Sequence, residues 1–526
     1  PTLAARSAAP AGVSPFLNAS PLPNGNARAD GFAEAAASYA NPARHDAFSF
    51  RLDERINDRL MITGRYDYAA SSATERGGDF FSLNTSNALH ERTQTLTASA
   101  EYTLSAQTVA ELRGNFSHYS ARSSYRLDNF GGAILPATTS FFTAPDVFSV
   151  FDLNGRNAAL ARGGESQSLQ RQFQLLGAIT TLRGPHALKF GADYRRLFPV
   201  IGLHPFEANV LFNGVGEALN GTASRLSLYT RATGQRPVFN NLSAYGQDEW
   251  RVSPRLTLTY GVRWELNLAP AAADSRDAFA VTQTGDLTQL ALAPRGSRLW
   301  RTTWTNFAPR VGLAYQLSNA SGRELILRGG FGIVSDTLND EVGHAYGDSF
   351  PFLAGRSFFN APFTGSWPAA FPSLNLASPV GVPFVVFDPK LKLPYTLQWN
   401  LTAERALGSA QMLSIAYVGT SGRRLLRAQT VFDPSPDFSF VRLVKNGAAS
   451  NYQSLQLQFN RRMRRGLQAS AAYTWSKAID DAVQDSPART LLQSADLRVE
   501  RGPSDFDVRH TLSGLISYKL SPRLAR

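Results

Sequence analysis

Residues 467–477 read Leu467-Gln468-Ala469-Ser470-Ala471-Ala472-Tyr473-Thr474-Trp475-Ser476-Lys477, and the alternation within this stretch decides the fold. Successive side chains of a β-strand point to opposite faces, so every second residue shares a face. One face of this strand is therefore apolar from Leu467 to Trp475, while the other carries mostly polar groups. Such a strand is typical of a wall that separates an apolar phase from water.

The same pattern repeats along most of the chain, in about fifteen runs of roughly ten residues. The runs come in pairs joined by short polar turns. The paired runs lie at about 48–68, 95–119, 169–197, 241–267, 306–335, 394–420 and 452–477, and a single run follows at about 508–520. Every second connection is only a few residues long, whereas most of the others are about 20 to 55 residues long.

This alternation of short turns and long loops indicates the architecture. Outer-membrane β-barrels combine short periplasmic turns with long extracellular loops, whereas long loops are uncommon in compact soluble domains. A soluble sandwich or propeller would also have alternating strands. The aromatic residues at strand ends, such as Tyr102, Trp264 and Trp475, favour a membrane wall. We therefore predict an all-β, antiparallel, transmembrane outer-membrane β-barrel.

Composition excludes several other classes. The 526 residues include no cysteine, which rules out disulfides, thiolate zinc sites and a cysteine nucleophile. No run of about 18 uncharged apolar residues predicts a transmembrane helix. The formal net charge of +12 comes mainly from dispersed arginines, so we predict no nucleic-acid partner and expect outer-membrane lipid instead.

The strand count predicts a partial barrel. Single-chain bacterial barrels have an even number of strands, and an open sheet edge is not stable in lipid. We therefore expect residues 1–45 to be an extracellular loop segment, residues 46–520 to form part of a larger, 22-stranded barrel, and residues 521–526 to begin a periplasmic turn at which the chain is truncated.

Several stretches resemble the TonB-dependent receptor superfamily, and within it the Oar-like group, which combines a carboxypeptidase-regulatory-like domain, a plug and a barrel. The stretches carry this resemblance as a set, because they occur in the same order along the chain as in that family. The stretches are Arg51-Leu52-Asp53 with Arg65-Tyr66, Trp304-Thr305-Asn306-Phe307-Ala308-Pro309-Arg310, Arg328-Gly329-Gly330-Phe331-Gly332, Asn451-Tyr452-Gln453-Ser454-Leu455-Gln456, Tyr473-Thr474-Trp475-Ser476-Lys477, and Gly502-Pro503-Ser504-Asp505-Phe506-Asp507-Val508-Arg509-His510.

This resemblance implies a transporter of the outer membrane that moves a bulky solute, such as a carbohydrate or a siderophore, or a protein. It implies energy from the TonB complex, acting through a plug that this chain lacks. A TonB box, a signal peptide and a final strand with an aromatic end are also not found here. The alternatives are a passive porin-like channel and, from another class, an adhesin or a barrel enzyme.

Two sets of residues are candidates for solute contact. The first is expected to face the lumen, where it would contact a solute, water or the plug: Gln398, Asn400, Glu404, Gln456, Gln458 and Asn460. The second lies in the Phe-rich longest loop, which would either contact ligand outside the cell or fold into an ordered cap: Phe350, Phe352, Phe358, Phe359 and Phe363.

No enzyme, cofactor or metal is predicted. The seven histidines include no pair at helical i,i+3 or i,i+4 spacing. Asp507, His510 and Ser513 would be the members of a hydrolase triad. We interpret Asp507 and His510 instead as the end of an outer loop.

Overall fold

A computed structural model describes residues 1–78, 80–137, 146–154, 157–273, 277–337, 339–366, 369–374, 384–435, 438–481 and 501–519. Residues 521–526, where a truncated turn was predicted, lie outside this part. The strands are β1 (Ala43–Arg55), β2 (Leu60–Arg76), β3 (Thr85–Ser105), β4 (Thr108–Leu127), β5 (Val147–Asp152), β6 (Leu160–Arg183), β7 (His186–Leu197), β8 (Phe206–Leu211), β9 (Thr222–Arg231), β10 (Pro237–Ser253), β11 (Leu256–Asn267), β12 (Ala271–Ala272), β13 (Val281–Thr282), β14 (Ala291–Leu292), β15 (Asn306–Ser318), β16 (Leu325–Ser335), β17 (Leu353–Pro362), β18 (Phe384–Phe387), β19 (Tyr395–Ala406), β20 (Gln411–Ser435), β21 (Phe438–Arg464), β22 (Leu467–Asp480), β23 (Gly502–Pro503) and β24 (His510–Tyr518). The helices are α1 (Leu3–Ala8), α2 (Ser14–Asn18), α3 (Val215–Leu219) and α4 (Asn339–Gly347).

Fifteen of these strands pair antiparallel, each with the next one along the wall. The order is β1, β2, β3, β4, β6, β7, β10, β11, β15, β16, β19, β20, β21, β22 and β24. Within the described residues, β1 and β24 each pair with a single neighbour in this wall. The prediction of an antiparallel barrel wall is confirmed.

The two faces of the wall differ as the alternation predicted. Apolar side chains cover one face and stay exposed: 53% for Leu96, 53% for Phe190 and 59% for Leu401. The other face carries Gln, Asn, Asp, Glu and Arg side chains. Because a barrel in a membrane turns its apolar side to lipid, we call the first face the outer face and the second the inner face.

The ends of the wall are not alike. At the short-turn end, strands reverse over a few residues, as at Gly184, whose positive φ of 56° suits a tight turn. At the other end, the long-loop end, strands run beyond the predicted limits. β20 and β21 have 25 and 27 residues and form one long hairpin, where the sequence predicted a loop of about 30 residues.

The long loops fold into a layer at that end, which we call the cap. β5, β8, β9 and β17 form a sheet from three different loops, and the first residues of β6 extend it. β5 and β8 run parallel, in contrast to the antiparallel wall. β18 also runs parallel to β21.

The cap has apolar cores of its own. One of them, the aromatic core, joins α2, β5 and the residues directly after β8 and β17 through the rings of Phe16, Phe151, Phe212 and Phe363, all at most 4% exposed. The rings of Phe16 and Phe151 stack with centroids 4.9 Å apart. The segment predicted to be an extracellular loop thus contains α1 and α2, and α2 packs into this core.

None of the described helices is long and apolar enough to cross a membrane.

Candidate functional site

The six predicted lumen residues lie on β19 and β21, which are separated by β20, and share the inner face of the wall. Glu404 on β19 lies opposite Ser414 on β20, which lies opposite Gln458 on β21. Asn400 and Gln398 precede Glu404 by four and six residues on β19, and Gln456 and Asn460 flank Gln458 on β21. Because residues directly opposite each other point to the same face, all six belong to one polar surface.

A charged cluster lies farther round the same inner face. The Arg263 guanidinium on β11 lies 2.9 Å from the Glu265 carboxylate and 3.6 Å from the Asp193 carboxylate on β7. Gln174 donates to Asp193 over 2.9 Å, and the Tyr245 ring centroid lies 6.0 Å from the guanidinium carbon. The inner wall therefore presents acceptors and donors in fixed positions, which suits polar groups rather than apolar ones.

A depression of about 340 Å³ lies on this face near the short-turn end. Glu404 and Asn460 line it, together with Glu324 and Arg462. Arg328 holds Glu404, with 3.4 Å between the guanidinium and the carboxylate. Two of the predicted lumen residues are thus brought together in one concave surface.

The candidate phenylalanines occupy different environments in the cap. Phe350, Phe352 and Phe363 are at most 4% exposed and belong to cap cores. Phe358 packs against the aromatic core from β17. Phe359, in contrast, is 68% exposed and pairs across the strands with Arg225 of β9. Among these five, Phe359 is the side chain placed to meet a ligand from solvent.

A cavity of about 860 Å³ lies between the N-terminal segment and the loops after β2 and β5. Arg28, Asp30, Glu34 and Asn157 contribute polar groups to it. Arg28 and Asp30 form an ion pair of 2.7 Å. Sequence reasoning missed this cavity because its walls come from three separate segments, within residues 1–36, 82–83 and 154–158, that only folding brings together.

A largely buried arginine connects the loops of the cap. Arg231, at the end of β9, contacts Glu207 of β8 and lies 3.3 Å from the Asp348 carboxylate. Burial alone would lower the pKa of Arg231, but the two carboxylates outweigh it and raise that pKa. Burial lowers the pKa of the neighbouring His204, whose ring stacks on Phe148. The ion pairs of Arg231 with Glu207 and Asp348 hold the loops of the cap in register. The lowered pKa of His204 favours its neutral form.

A second ion pair fixes the strand ends to the cap. Arg76 at the end of β2 donates to Asp128 after β4 over 2.9 Å and lies over the Phe130 ring, 4.5 Å from its centroid. The hydrogen bond from Arg76 is the main reason that the pKa of Asp128 lies below its usual value. The Asp128 side chain is 39% exposed, so solvent screens part of this interaction.

This pair predicts an acid-sensitive cap. A carboxylate with a lowered pKa stabilises the fold above its ordinary pKa of 3.8, and this contribution is lost as the pH falls through the lowered value. We expect pepsin to cleave the loop after β4 increasingly as the pH falls below about 3.8. The Asp128→Asn variant should already be cleaved at about pH 3.8, and its rate of cleavage should change little as the pH falls further. If cleavage of the unmodified protein and of Asp128→Asn depended on pH in the same way, the assignment of the acid sensitivity to Asp128 would be contradicted.

The imagined hydrolase triad does not assemble. The Asp507 carboxylate accepts from the Ala478 amide over 2.6 Å and pairs with Arg509. His510 contacts the Tyr473 hydroxyl through Nδ1 over 2.9 Å. Three positions separate His510 from Ser513 on β24, so the two point to opposite faces of the wall. Within the described residues no group of three or more His, Asp or Glu side chains could hold a metal ion.

Comparisons with known proteins agree with this geometry. A family model described as an outer membrane beta barrel domain matches residues 4–523. No curated protein matches the chain at a significant level. The solved outer membrane transporter YddB from Escherichia coli is 13% identical, with a TM-score of 0.53, and the match covers 86% of this chain and 50% of that one.

Two further solved structures have the same fold. The FpvAI–pyocin S2 complex is 12% identical with a TM-score of 0.51, covering 92% of this chain and 54% of that one. FpvA of P. aeruginosa bound to heterologous pyoverdines is 12% identical with a TM-score of 0.50, covering 92% and 53%. The chain spans about half the length of these structures, and at such identities the likeness shows the fold alone.

Proposed function

The chain belongs to the outer membrane beta barrel domain family and lies in the outer membrane, and from this premise we propose that it forms the wall of a transporter of the TonB-dependent receptor type. The observation that carries the proposal is the inner face. Polar and charged side chains follow it from β7 to β21, with an ion-paired cluster at Arg263 and a concave surface at Glu404. A wall of this kind conducts polar solutes past lipid.

The proposal includes a larger barrel of the Oar-like kind. β1 and β24 have free edges in this wall within the described residues, and an unpaired edge in lipid costs several kcal/mol per exposed backbone group. Further strands in the parent protein would pair with these edges. A plug would fill the lumen and contact the inner face, and the TonB complex would act on that plug.

The cap is proposed to receive the solute on the extracellular side, because long loops face outwards in such barrels. Phe359 and Arg225 are adjacent and exposed on the cap sheet, so they offer an apolar ring beside a cation. The FpvA structures contain pyoverdines and the FpvAI complex contains a pyocin. By analogy with these ligands, the solute that we propose for this chain is a bulky molecule or a protein.

Electrical conductance tests the energised transporter against a passive porin. The full-length protein is inserted into planar lipid bilayers in concentrated KCl, and single-channel currents are recorded. We expect closed channels, because a plug blocks the lumen. A variant that lacks only the proposed plug and keeps every strand of the wall should conduct steadily, since its lumen would be open.

Large, steady currents from the full-length protein would contradict the proposal and favour the porin. The control for correct assembly is heat-modifiable migration in gels, which folded barrels show and unfolded chains do not. Only samples that pass this control count, so a closed channel cannot result from an unfolded protein.

A further inference from the structure

Asp248 occupies an unexpected place in the wall. It lies on β10 opposite Leu188 of β7 and Tyr260 of β11. Those positions belong to the outer face, where Val262, two residues beyond Tyr260, is 46% exposed. A carboxylate on the lipid side of a barrel wall is costly, so an ionisable group there calls for a partner and indicates a function.

Aromatic side chains surround this carboxylate near the short-turn end. His186 Nδ1 lies 2.7 Å from Asp248 Oδ2, and the Tyr260 hydroxyl donates to the same oxygen over 2.8 Å. The His186 ring stacks on Trp250, with centroids 5.3 Å apart and planes 14° apart. Rings at this level of a barrel lie at the border between lipid tails and headgroups.

The second carboxylate oxygen, Oδ1, has no hydrogen-bond partner among the described residues, and Asp248 is only 6% exposed. Burying an unpaired carboxylate oxygen is unfavourable. The directly opposite residues, Leu188 and Tyr260, provide no cation. A hydrogen-bond donor would satisfy Oδ1, and a positively charged donor would gain most from a carboxylate.

We propose that Asp248 binds the primary ammonium group of a phospholipid headgroup, as in phosphatidylethanolamine, on the outer surface of the wall. The ammonium donates to Oδ1, while the rings of Trp250 and Tyr260 provide π faces that attract a cation. The His186 side chain is 34% exposed, so its ring is the part of the enclosure that turns aside to admit the headgroup. This site is separate from the lumen and does not depend on the transport proposal.

Native mass spectrometry of the full-length protein in detergent tests the site. The protein is mixed with phosphatidylethanolamine, phosphatidylcholine or phosphatidylglycerol of identical acyl chains, and bound lipid is counted. We expect phosphatidylethanolamine to bind about tenfold more tightly than phosphatidylcholine, which has no N–H donor. Asp248→Asn should abolish this preference.

One variant serves as a control. Asp193→Asn removes a carboxylate from the inner face of the adjacent strand β7 and should keep the preference. If Asp248→Asn fails to fold, the comparison of the three lipids on the unmodified protein still decides the question.

Three results would overturn the proposal. The first is equal retention of phosphatidylethanolamine and phosphatidylcholine by the unmodified protein. The second is preferential retention of phosphatidylglycerol, which would assign the binding to a cation such as His186. The third is a concentration-dependent dimer that Asp248→Asn abolishes, because a second copy of the protein would then occupy this surface.

Discussion

Leu401→Arg is expected to destabilise the assembled barrel by about 2–4 kcal/mol, the cost of a cation at the lipid-facing midplane of a barrel. Leu401 lies in the middle of β19, is 59% exposed and points away from the inner face. Its cross-strand neighbours are Gly329 and Tyr417, and neither can neutralise a guanidinium. The charge would have to stay in lipid or pull the strand towards the headgroups.

The matched control is Asn400→Arg, on the adjacent residue and the opposite face. There the guanidinium enters a polar lumen, and the directly opposite residue, Gly330, has no side chain to obstruct it, so we expect a change below about 1 kcal/mol. The measurement is the urea midpoint of unfolding in lipid vesicles, followed by heat-modifiable migration. Equal losses for both variants would show that the two faces had been assigned incorrectly.

Phe151→Ala is expected to destabilise the cap by about 3–5 kcal/mol, as large-to-small substitutions at fully buried rings do. Phe151 is 0% exposed, and its ring lies 4.9 Å from Phe16 and 5.4 Å from Phe212. Its removal leaves a cavity between α2 and the cap sheet. Because the aromatic core lies in the loops, the barrel wall should remain assembled.

Hydrogen exchange followed by mass spectrometry separates these two effects. Amides of β5 and β8 should lose protection in Phe151→Ala, while amides of β10 and β11 keep it. Phe359→Ala is the control, since this ring is 68% exposed and its loss creates no cavity. Exchange that rises equally in wall and cap would contradict the idea that the cap has a core of its own.

The strands of the wall follow from local pattern. The predicted pair 169–197 ends with β7 at Leu197, and the predicted pair 306–335 begins with β15 at Asn306 and ends with β16 at Ser335. In both, the membrane imposes the alternation along the whole strand, because each residue faces either lipid or water. The sequence also predicts which polar residues share the inner face, because residues at even spacing along a strand point to the same side. This applies to Gln398, Asn400 and Glu404 and to Gln456, Gln458 and Asn460, although their contact with a solute stays a prediction.

The extensions of the strands beyond the membrane were not predictable in this way. β2 ends at Arg76 rather than near Tyr68, and β20 continues to Ser435 rather than ending near Thr420. Above the apolar part of the wall, both faces of a strand meet water or other loops. There the strand is maintained by backbone hydrogen bonds alone. The sequence does not alternate between apolar and polar residues in these segments, so the pattern does not predict them.

The sequence by itself determined the membrane wall: its antiparallel strands, its short turns and the polarity of its two faces. Only the tertiary structure decided the cap, in which β5 and β8 pair in parallel and Phe16 meets Phe151. It also decided that Asp248 meets His186 and Tyr260 on the outer face. The physical reason is the sequence distance over which each interaction acts. Lipid or water determines the polarity of each wall residue separately, whereas these contacts join segments that lie far apart in the sequence and meet only on folding.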